Sequence, residues 1–597
     1  MKIMSEVNKS IYSIIVLVAV FLAATGCDLT EAPKDSTTQD AVFSSETGLQ
    51  LYTNSFYEYL PSADDITRGD GMSDYGATRS LGTIDFIIPG AWTAETHDQG
   101  WDWGRLRNIN YFLVNNLNED VPQEVRNHYS GIARFFRAWF YFDKVKRFGD
   151  VPWIDEPLDV DDPRLEGNRD SREVVMNHIL EDLDFAIQNI RQNEVSSRTE
   201  ITKTVALALK SRVALFEGTF RKYNSWLGLE GSADVWLSEA ADASKQIMDG
   251  GAYSLYTGAG PEFSYRELFI TDAPNSAEDI LSVVSDEALG VRHTANWWLT
   301  SGTFGIGLNF TRQFINTYLM QDGTPFTDMP GHETLTFTEE VQNRDLRLSQ
   351  TIRTPGYTRI NAGAVVSAPP TFTYTQTGYQ PIKWVVDDIG VDGGSNNTNS
   401  VTIFRYAEVL LNYAEAKAEL GELNTSDWQQ TIGALRERAG ITGGINTLPV
   451  QADPYLQEVY FPDINDAVLL EIRRERGIEL AFEAIRFDDI RRWGRGELME
   501  QKWRGFYVPA ANTYMDLSGD GEPNVYFYTT PDAPQDQIEG VQYVDVNRED
   551  FILSDGDSGE LMWLPNIQKE WQQRKYLYPI PQVHIQRNTN LNQNPGW

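Results

Sequence analysis

The sequence predicts a mainly α protein in which tetratricopeptide-like helix pairs form a scaffold for long irregular loops and a few short β-strands. Three observations carry that prediction. Apolar residues recur at helical spacing in several separate stretches. Glycines stand just past two successive helical segments in the C-terminal half. The segments between the helical sets are long, polar and rich in Gly, Asn, Thr, Asp and aromatic residues, and loops of that length in a compact protein are usually functional.

The first residues read separately from the body. A weakly basic start, with Lys2 and Lys9 against Glu6, leads into an apolar run from Ile14 to Ala24. That run is shorter than the roughly 20 apolar residues a membrane-spanning helix needs. It has the proportions of a secretory signal core followed by small residues for cleavage. Ala24-Thr25-Gly26-Cys27 resembles a bacterial lipobox, with Ala24 where leucine usually stands. Cys27, the only cysteine in the chain, is therefore expected to carry lipid. Residues 1–26 form a signal peptide, 27–45 a lipidated tether rich in Asp, Thr and Ser, and 46–597 the body.

A body without a second cysteine has no internal disulfides and must rely on its core. The 41% hydrophobic and 12% aromatic content supplies one. The formal charge of −36 should repel nucleic-acid phosphates and anionic headgroups, so no nucleic-acid partner is expected and neutral or cationic ligands fit better; the alternative, and the simpler reading, is that the charge serves solubility.

In chain order, the first clear helix covers 123–148, with Ile132, Phe135, Phe136, Trp139, Phe140 and Phe142 along one stripe and Gly149 as its stop. A second covers 171–190, where Asp170 and Glu173 have the spacing of a capping box. A third lies near 203–217. In the C-terminal half, 404–420 ending at Gly421 and 427–439 ending at Gly440 form a helix–turn–helix pair. Residues 467–493 read as one long charged helix in which Glu471/Arg474 and Glu483/Arg486 have the spacing of intrahelical pairs. Paired helices of this length resemble tetratricopeptide units, without a strict repeat of about 34 residues. The scaffold is thus assigned mainly to about 105–220 and 404–495, and the ligand-binding loops mainly to about 65–105, 250–400 and 500–570, with short strands expected at 371–375 and 382–386.

Catalytic chemistry leaves no local signature. The six histidines form no paired metal motif, and no phosphate-binding or dinucleotide fingerprint is present. Gly71-Met72-Ser73-Asp74-Tyr75 lacks the second glycine of a nucleophile elbow. A glycosidase carboxylate pair is a spatial arrangement that sequence spacing does not reveal. Asp516, Ser518 and Asp520 begin like a calcium loop, but Phe527 stands where the closing glutamate belongs; calcium is the one cofactor candidate, and most such matches are Asp/Gly turns. The aromatics say more. Trp92, Trp101 and Trp103 cluster in a polar stretch, and Trp297-Trp298 stand in a loop-like one. Flat rings beside Asn, Asp and Arg suit sugar rings, and also peptides. Trp92, Trp101, Trp297 and Trp298 are the candidate ligand contacts; the alternative is that such rings close small cores beneath the loops.

Several stretches together resemble the SusD/RagB family of Bacteroidetes outer-membrane nutrient-binding lipoproteins. Arg134-Phe135-Phe136-Arg137-Ala138-Trp139-Phe140-Tyr141, running on to Phe148-Gly149-Asp150, is similar to its aromatic N-terminal helix. Phe404-Arg405-Tyr406-Ala407-Glu408 opens its most recognisable helix. Arg473-Arg474-Glu475-Arg476-Gly477-Ile478-Glu479-Leu480, followed by Arg486-Phe487-Asp488-Asp489-Ile490-Arg491-Arg492-Trp493, resembles the next. The ending Asn592-Gln593-Asn594-Pro595-Gly596-Trp597 fits the same pattern. The resemblance implies tetratricopeptide-like helix pairs beneath an irregular ligand-binding region, and no enzymatic activity. It also implies a lipid-anchored protein on the outer face of the outer membrane that captures oligosaccharides, or in some members peptides, for a SusC-like TonB-dependent transporter. A surface glycoside hydrolase is the remaining alternative.

Overall fold

The computed structural model describes residues 42–97, 99–191, 195–302 and 305–597. The signal peptide, Cys27 and the tether up to residue 41 lie outside the described residues.

Helix α1 (Glu46–Asn54) begins where the Ser45 hydroxyl accepts the Gly48 N–H, and α2 (Ala63–Gly69) begins with a reciprocal Ser62–Asp65 capping box. Helix α3 (Gly104–Asn115) lies against α4 (Gln123–Phe148). The α4 stripe is buried as expected, apart from Trp139, which is half-buried. Gly149 ends α4 at φ +73°, and a Cβ there would lie 2.9 Å from Leu577.

Helix α5 (Arg172–Asn189) departs from the expected start. Ser171 caps it through the Val174 N–H, because the Asp170 carboxylate already accepts the Trp153 N–H at 2.7 Å. Helix α6 (Lys203–Tyr223) continues past residue 217, since Glu217 is buried between Arg172 and Arg221 at 2.6 and 2.7 Å. Helix α7 (Ala233–Gly250) is an addition to the helices expected from the sequence; Trp236, Leu237, Ala240, Ala241, Ser244 and Ile247 form its buried face at helical spacing. A short helix, α8 (Ala295–Thr300), follows in the long central loop region.

In the C-terminal half, helix α9 (Tyr406–Glu419) starts two residues later than expected, because Phe404 and Arg405 belong to a strand. Helix α10, residues 425–438, contains a π turn at Gln429–Gly433. Gly421 and Gly440 close α9 and α10 at φ +72° and +73°. Helices α4 to α7, α9 and α11 (Ala467–Glu479) pack successively against one another, so the hairpins α4–α5, α6–α7 and α9–α10 form a tetratricopeptide-like scaffold.

The strands are short. In chain order they are β1 (Gly76–Ala77), β2 (Asp279–Val283), β3 (Asn309–Phe310), β4 (Thr358–Asn361), β5 (Ala364–Ser367), β6 (Val401–Arg405), β7 (Trp503–Val508), β8 (Thr513–Met515), β9 (Val525–Tyr528), β10 (Gln542–Asp545), β11 (Asn547–Arg548), β12 (Phe551–Leu553) and β13 (Gly559–Trp563). β2 pairs with β6, while β11-β12-β13-β7 and β10-β9-β8 form two sheets in the loop region. Neither 371–375 nor 382–386 is a strand. The first is a turn closed by the Tyr374 and Thr375 N–H groups on the Thr371 carbonyl. In the second, the carbonyls of Ile382, Lys383 and Val385 accept from the buried Arg266 guanidinium instead of joining a ladder.

The expected helix over 467–493 is broken. After α11 the chain turns through Phe482 and Ala484, both at positive φ (+62° and +60°), before α12 (Arg486–Arg492). Non-glycine residues take that conformation at a cost of roughly 1–2 kcal/mol each. Side chains distant in sequence hold it. Trp384 donates to the Phe482 carbonyl (2.7 Å), Lys383 to the Ala481 carbonyl (2.7 Å), and the Tyr75 hydroxyl accepts the Phe482 N–H (3.1 Å) while donating to Asp70 (2.5 Å). Glu471 and Arg474 do pair, at 3.2 Å. Glu483 and Arg486 do not: Glu483 binds Arg405 and Lys383, and Arg486 binds Asp74.

These contacts belong to a buried ionic centre. The Glu479 carboxylate accepts from Arg405 (2.5 Å), Arg438 (2.5 Å) and Arg347 (2.8 Å). Glu278 bridges Arg405 and Arg438 at 2.9 and 3.2 Å, and Glu475 meets Arg347 at 2.5 Å. Burial alone would raise the Glu479 pKa; Arg438, Arg405 and Arg347 overcome it and hold the carboxyl well below its usual range. Glu479→Ala would remove the one carboxylate shared by three buried arginines, which keep Glu278, Glu483, Glu475 and Asp345 as partners, and is expected to lower the unfolding free energy by about 3 kcal/mol. Lys245→Ala, in an exposed α7 pair with Asp249, should change it by less than about 1 kcal/mol. Urea titration of the two variants measures the difference.

Burial pushes the neighbouring Asp279 carboxyl from 3.8 up to about 7, with the Asn275 N–H bond opposing and Glu278 reinforcing the shift. The folded state therefore holds this proton more tightly than the unfolded chain. Its contribution to stability falls as pH rises from about 4 to about 7. Asp279→Asn is expected to remove that part of the slope, so its melting temperature relative to the parent should increase with pH across the window.

Candidate ligand-binding site

The loop region encloses an open cleft of about 800 Å³ between the two small sheets, the 79–81 segment and the 372–376 turn. Its walls carry rings (Phe372, Tyr528, Tyr543, Phe551, Trp563) beside polar groups (Arg79, Gln376, Asp545, Arg548). Four of the five rings are held by neighbouring groups. Phe372 meets Phe527 and Phe506 edge-on, with centroids 4.9 and 6.0 Å apart. Trp563 donates its indole N–H to the Thr78 carbonyl at 2.9 Å and meets Phe551 edge-on. The Tyr543 hydroxyl accepts the Ile538 N–H at 2.7 Å.

Arg79 joins the cleft to the central loops. Its guanidinium donates to the carbonyls of Gly302 and Thr373, and its backbone N–H bonds the Ile306 carbonyl at 2.9 Å. Partial burial lowers its pKa from the ordinary arginine value. Arg548 pairs with Asp550 at 2.6 Å, so this arginine's charge is compensated within the wall. Aromatic faces beside amide, hydroxyl and compensated charged groups suit an amphipathic, hydroxyl-rich ligand.

The four candidate tryptophans fall into two pairs. Trp297 and Trp298 lie on α8, whose C-terminal end is tied to the cleft: the Ile306 N–H bonds the Trp298 carbonyl at 3.3 Å, and Gly302 receives Arg79. The Arg68 guanidinium lies over the Trp298 ring, 4.1 Å from its centroid. Asp64 holds the start of α8 by accepting from the Thr294 N–H and hydroxyl at 3.1 and 2.8 Å. Helix α2 therefore orients the tryptophan pair. Trp92 stacks on His97 with centroids 3.4 Å apart and meets Phe86 and Tyr578 edge-on. Trp101 is buried against Trp103 and Phe148. None of the four lines the cleft itself; the Trp297–Trp298 pair is linked to it only through the backbone that follows α8.

Asp516, Ser518 and Asp520 form a tight turn. Asp516 accepts the N–H groups of Ser518, Gly519 and Gly521, each at 2.8 Å, and Asp520 accepts that of Glu522 at 3.0 Å. Among the described residues no group of three His, Cys, Asp or Glu side chains converges to hold a metal ion. A second cavity, of about 480 Å³, lies between α2, α4, α6 and α12. Several of its charges are paired, Lys146 with Asp488 (2.8 Å) and Arg476 and Arg492 with Asp489 (2.8 Å each).

Arg79, Phe372, Tyr528 and Tyr543 were not singled out in the sequence, although each falls in a loop segment assigned to ligand binding. The alternation Val525-Tyr526-Phe527-Tyr528 was the available signal, since period-two spacing puts both tyrosines on one face.

Comparison with known proteins places this architecture. Residues 72–203 match a family model described as starch-binding, associating with the outer membrane. A curated relative, SusD-like protein P2 of Formosa agariphila, is 24% identical over 521 residues, covering 80% of this chain and 90% of the relative. A SusD-like protein from Bacteroides fragilis superposes with a TM-score of 0.68 at 23% identity, covering 95% of this chain and all of the other. A SusD-like carbohydrate-binding protein from the same species gives 0.67 at 21% identity, covering 92% of this chain and all of the other. Among the described residues no helix is long and apolar enough to cross a membrane. Residues 288–597, more than half of the sequence, match the SusD family model, and the chain belongs to that family, whose members are nutrient-binding proteins and not enzymes.

Proposed function

We propose that this protein, anchored by lipid on Cys27 at the outer face of the outer membrane, captures a neutral oligosaccharide and delivers it to a SusC-like TonB-dependent transporter. The observation that carries the reading is the ring-lined cleft joined through Arg79 to the Trp297–Trp298 helix. Two further points support it. The net charge of −36 disfavours anionic ligands, and a relative of the same fold is described as carbohydrate-binding.

Capture predicts binding without turnover. Affinity electrophoresis through gels containing starch, xylan, laminarin or mannan should retard the protein in at least one case. Arg79→Ala, and Trp297→Ala combined with Trp298→Ala, should each weaken the retained interaction about tenfold or more. Release of reducing ends by the pure protein would contradict capture, and competition by peptides in place of oligosaccharides would move the assignment to a peptide ligand in the same transport role.

Anchoring is tested separately. Cells fed labelled palmitate should label the parent protein and not Cys27→Ser, and the variant should leave the outer-membrane fraction. An unlabelled parent would remove the lipid from this account.

A further inference from the structure

The β8–β9–β10 sheet carries a second aromatic surface next to the cleft. Register places Tyr514 opposite Tyr526, and Tyr526 opposite Tyr543, so one row of three tyrosines crosses three strands. Val525 and Phe527 point inward and are buried, Phe527 against Phe372 and Phe506. The tyrosines therefore occupy the outer face. Their rings lean together over β9, with centroids 4.8 Å apart for Tyr514–Tyr526 and 5.6 Å for Tyr526–Tyr543. The Tyr514 and Tyr543 hydroxyls are 3.3 Å apart, and Tyr514 is 42% exposed.

Two features say what covers this face. It is continuous with the cleft, because Tyr543 belongs to both, and Tyr528, two residues along β9 on the same face, also lines the cleft. No basic residue stands among the outward positions of the three strands, and Asp545, paired with Tyr528, is the acidic one. One exposed ring and two half-buried ones, with hydroxyl rims and no cation, suit a neutral, hydroxyl-rich chain rather than an anionic one.

We propose that Tyr514, Tyr526 and Tyr543 form an extension subsite that stacks against further sugar units of the glycan chain held in the cleft, so that the protein prefers long neutral oligosaccharides to short ones. This rests on the glycan reading above. Cleft residues hold any fragment; the tyrosine face contributes only when the chain is long enough to leave the cleft across β10.

The test uses whichever of starch, xylan, laminarin or mannan retards the protein, hydrolysed to its trisaccharide and octasaccharide, with calorimetric titration of both. Tyr514→Ala combined with Tyr526→Ala is expected to weaken octasaccharide binding about tenfold and leave trisaccharide binding within about twofold. Tyr514→Phe combined with Tyr526→Phe, which keeps the rings, should retain most of the octasaccharide affinity. An unchanged melting temperature in the alanine variant separates a ligand role from simple support of the sheet. Octasaccharide affinity unchanged in the alanine variant, while Arg79→Ala abolishes binding of both lengths, overturns the extension subsite and leaves the function proposed above standing. Equal loss for both lengths also overturns it. Failure of every polysaccharide to retard the parent overturns both proposals.

Discussion

The carboxylate of Glu479 sits at the end of α11 with three arginines around it, and none of those arginines comes from its own helix. Arg405 ends β6, Arg438 ends α10, and Arg347 lies in the central loop region beside Asp345. Glu278 and Glu483 extend the same array to the start of β2 and to the turn after α11. Charges taken this far from water are tolerated only when every one is paired and hydrogen-bonded. The segments must therefore arrive together in one register. This centre fastens the helical scaffold to the loops that carry the cleft.

Scaffold and surface divide the chemistry. The most recognisable motifs of the chain, around 404–416 and 472–493, are arginines and glutamates that satisfy one another inside the scaffold. They specify the architecture and say nothing of the ligand. The proposed ligand surface lies in segments that contribute little to the helical row: the 79–81 segment, the 372–376 turn and the two small sheets. Such a division lets one scaffold carry different recognition surfaces. Here the surface is aromatic, with Arg548 paired to Asp550 and the Arg79 guanidinium bound to carbonyls, in keeping with the uncharged ligand proposed above.

Locally determined features were legible in the sequence. The α4 stripe and the glycine stops of α9 and α10 follow from residues a few positions apart. Features set by distant contacts were not. The break after α11 depends on Asp70, Tyr75, Lys383 and Trp384, which no periodicity within 467–493 can reveal. The stretch 382–386 has strand-like residues, but Arg266 claims its carbonyls. Helix α7, by contrast, was legible, since Trp236, Leu237, Ala240 and Ile247 stand at helical spacing on its buried face. At the site, composition pointed to tryptophans in polar loops without showing which rings other rings would cover. Phe148 and Trp103 enclose Trp101, whereas α2 presents the α8 pair beside the cleft. The tyrosines of β8–β10 gain meaning only when strand pairing aligns them.

The central claim is that the loop cleft, and not the helical row, holds the ligand. Hydrogen-exchange mass spectrometry of the parent protein, with and without the oligosaccharide that retards it, tests this most directly. The account predicts slowed exchange in 79–81, 372–376 and 525–545 upon binding, with α4 to α7 unchanged. Protection confined to the helical row, with those loop segments exchanging as before, would contradict it.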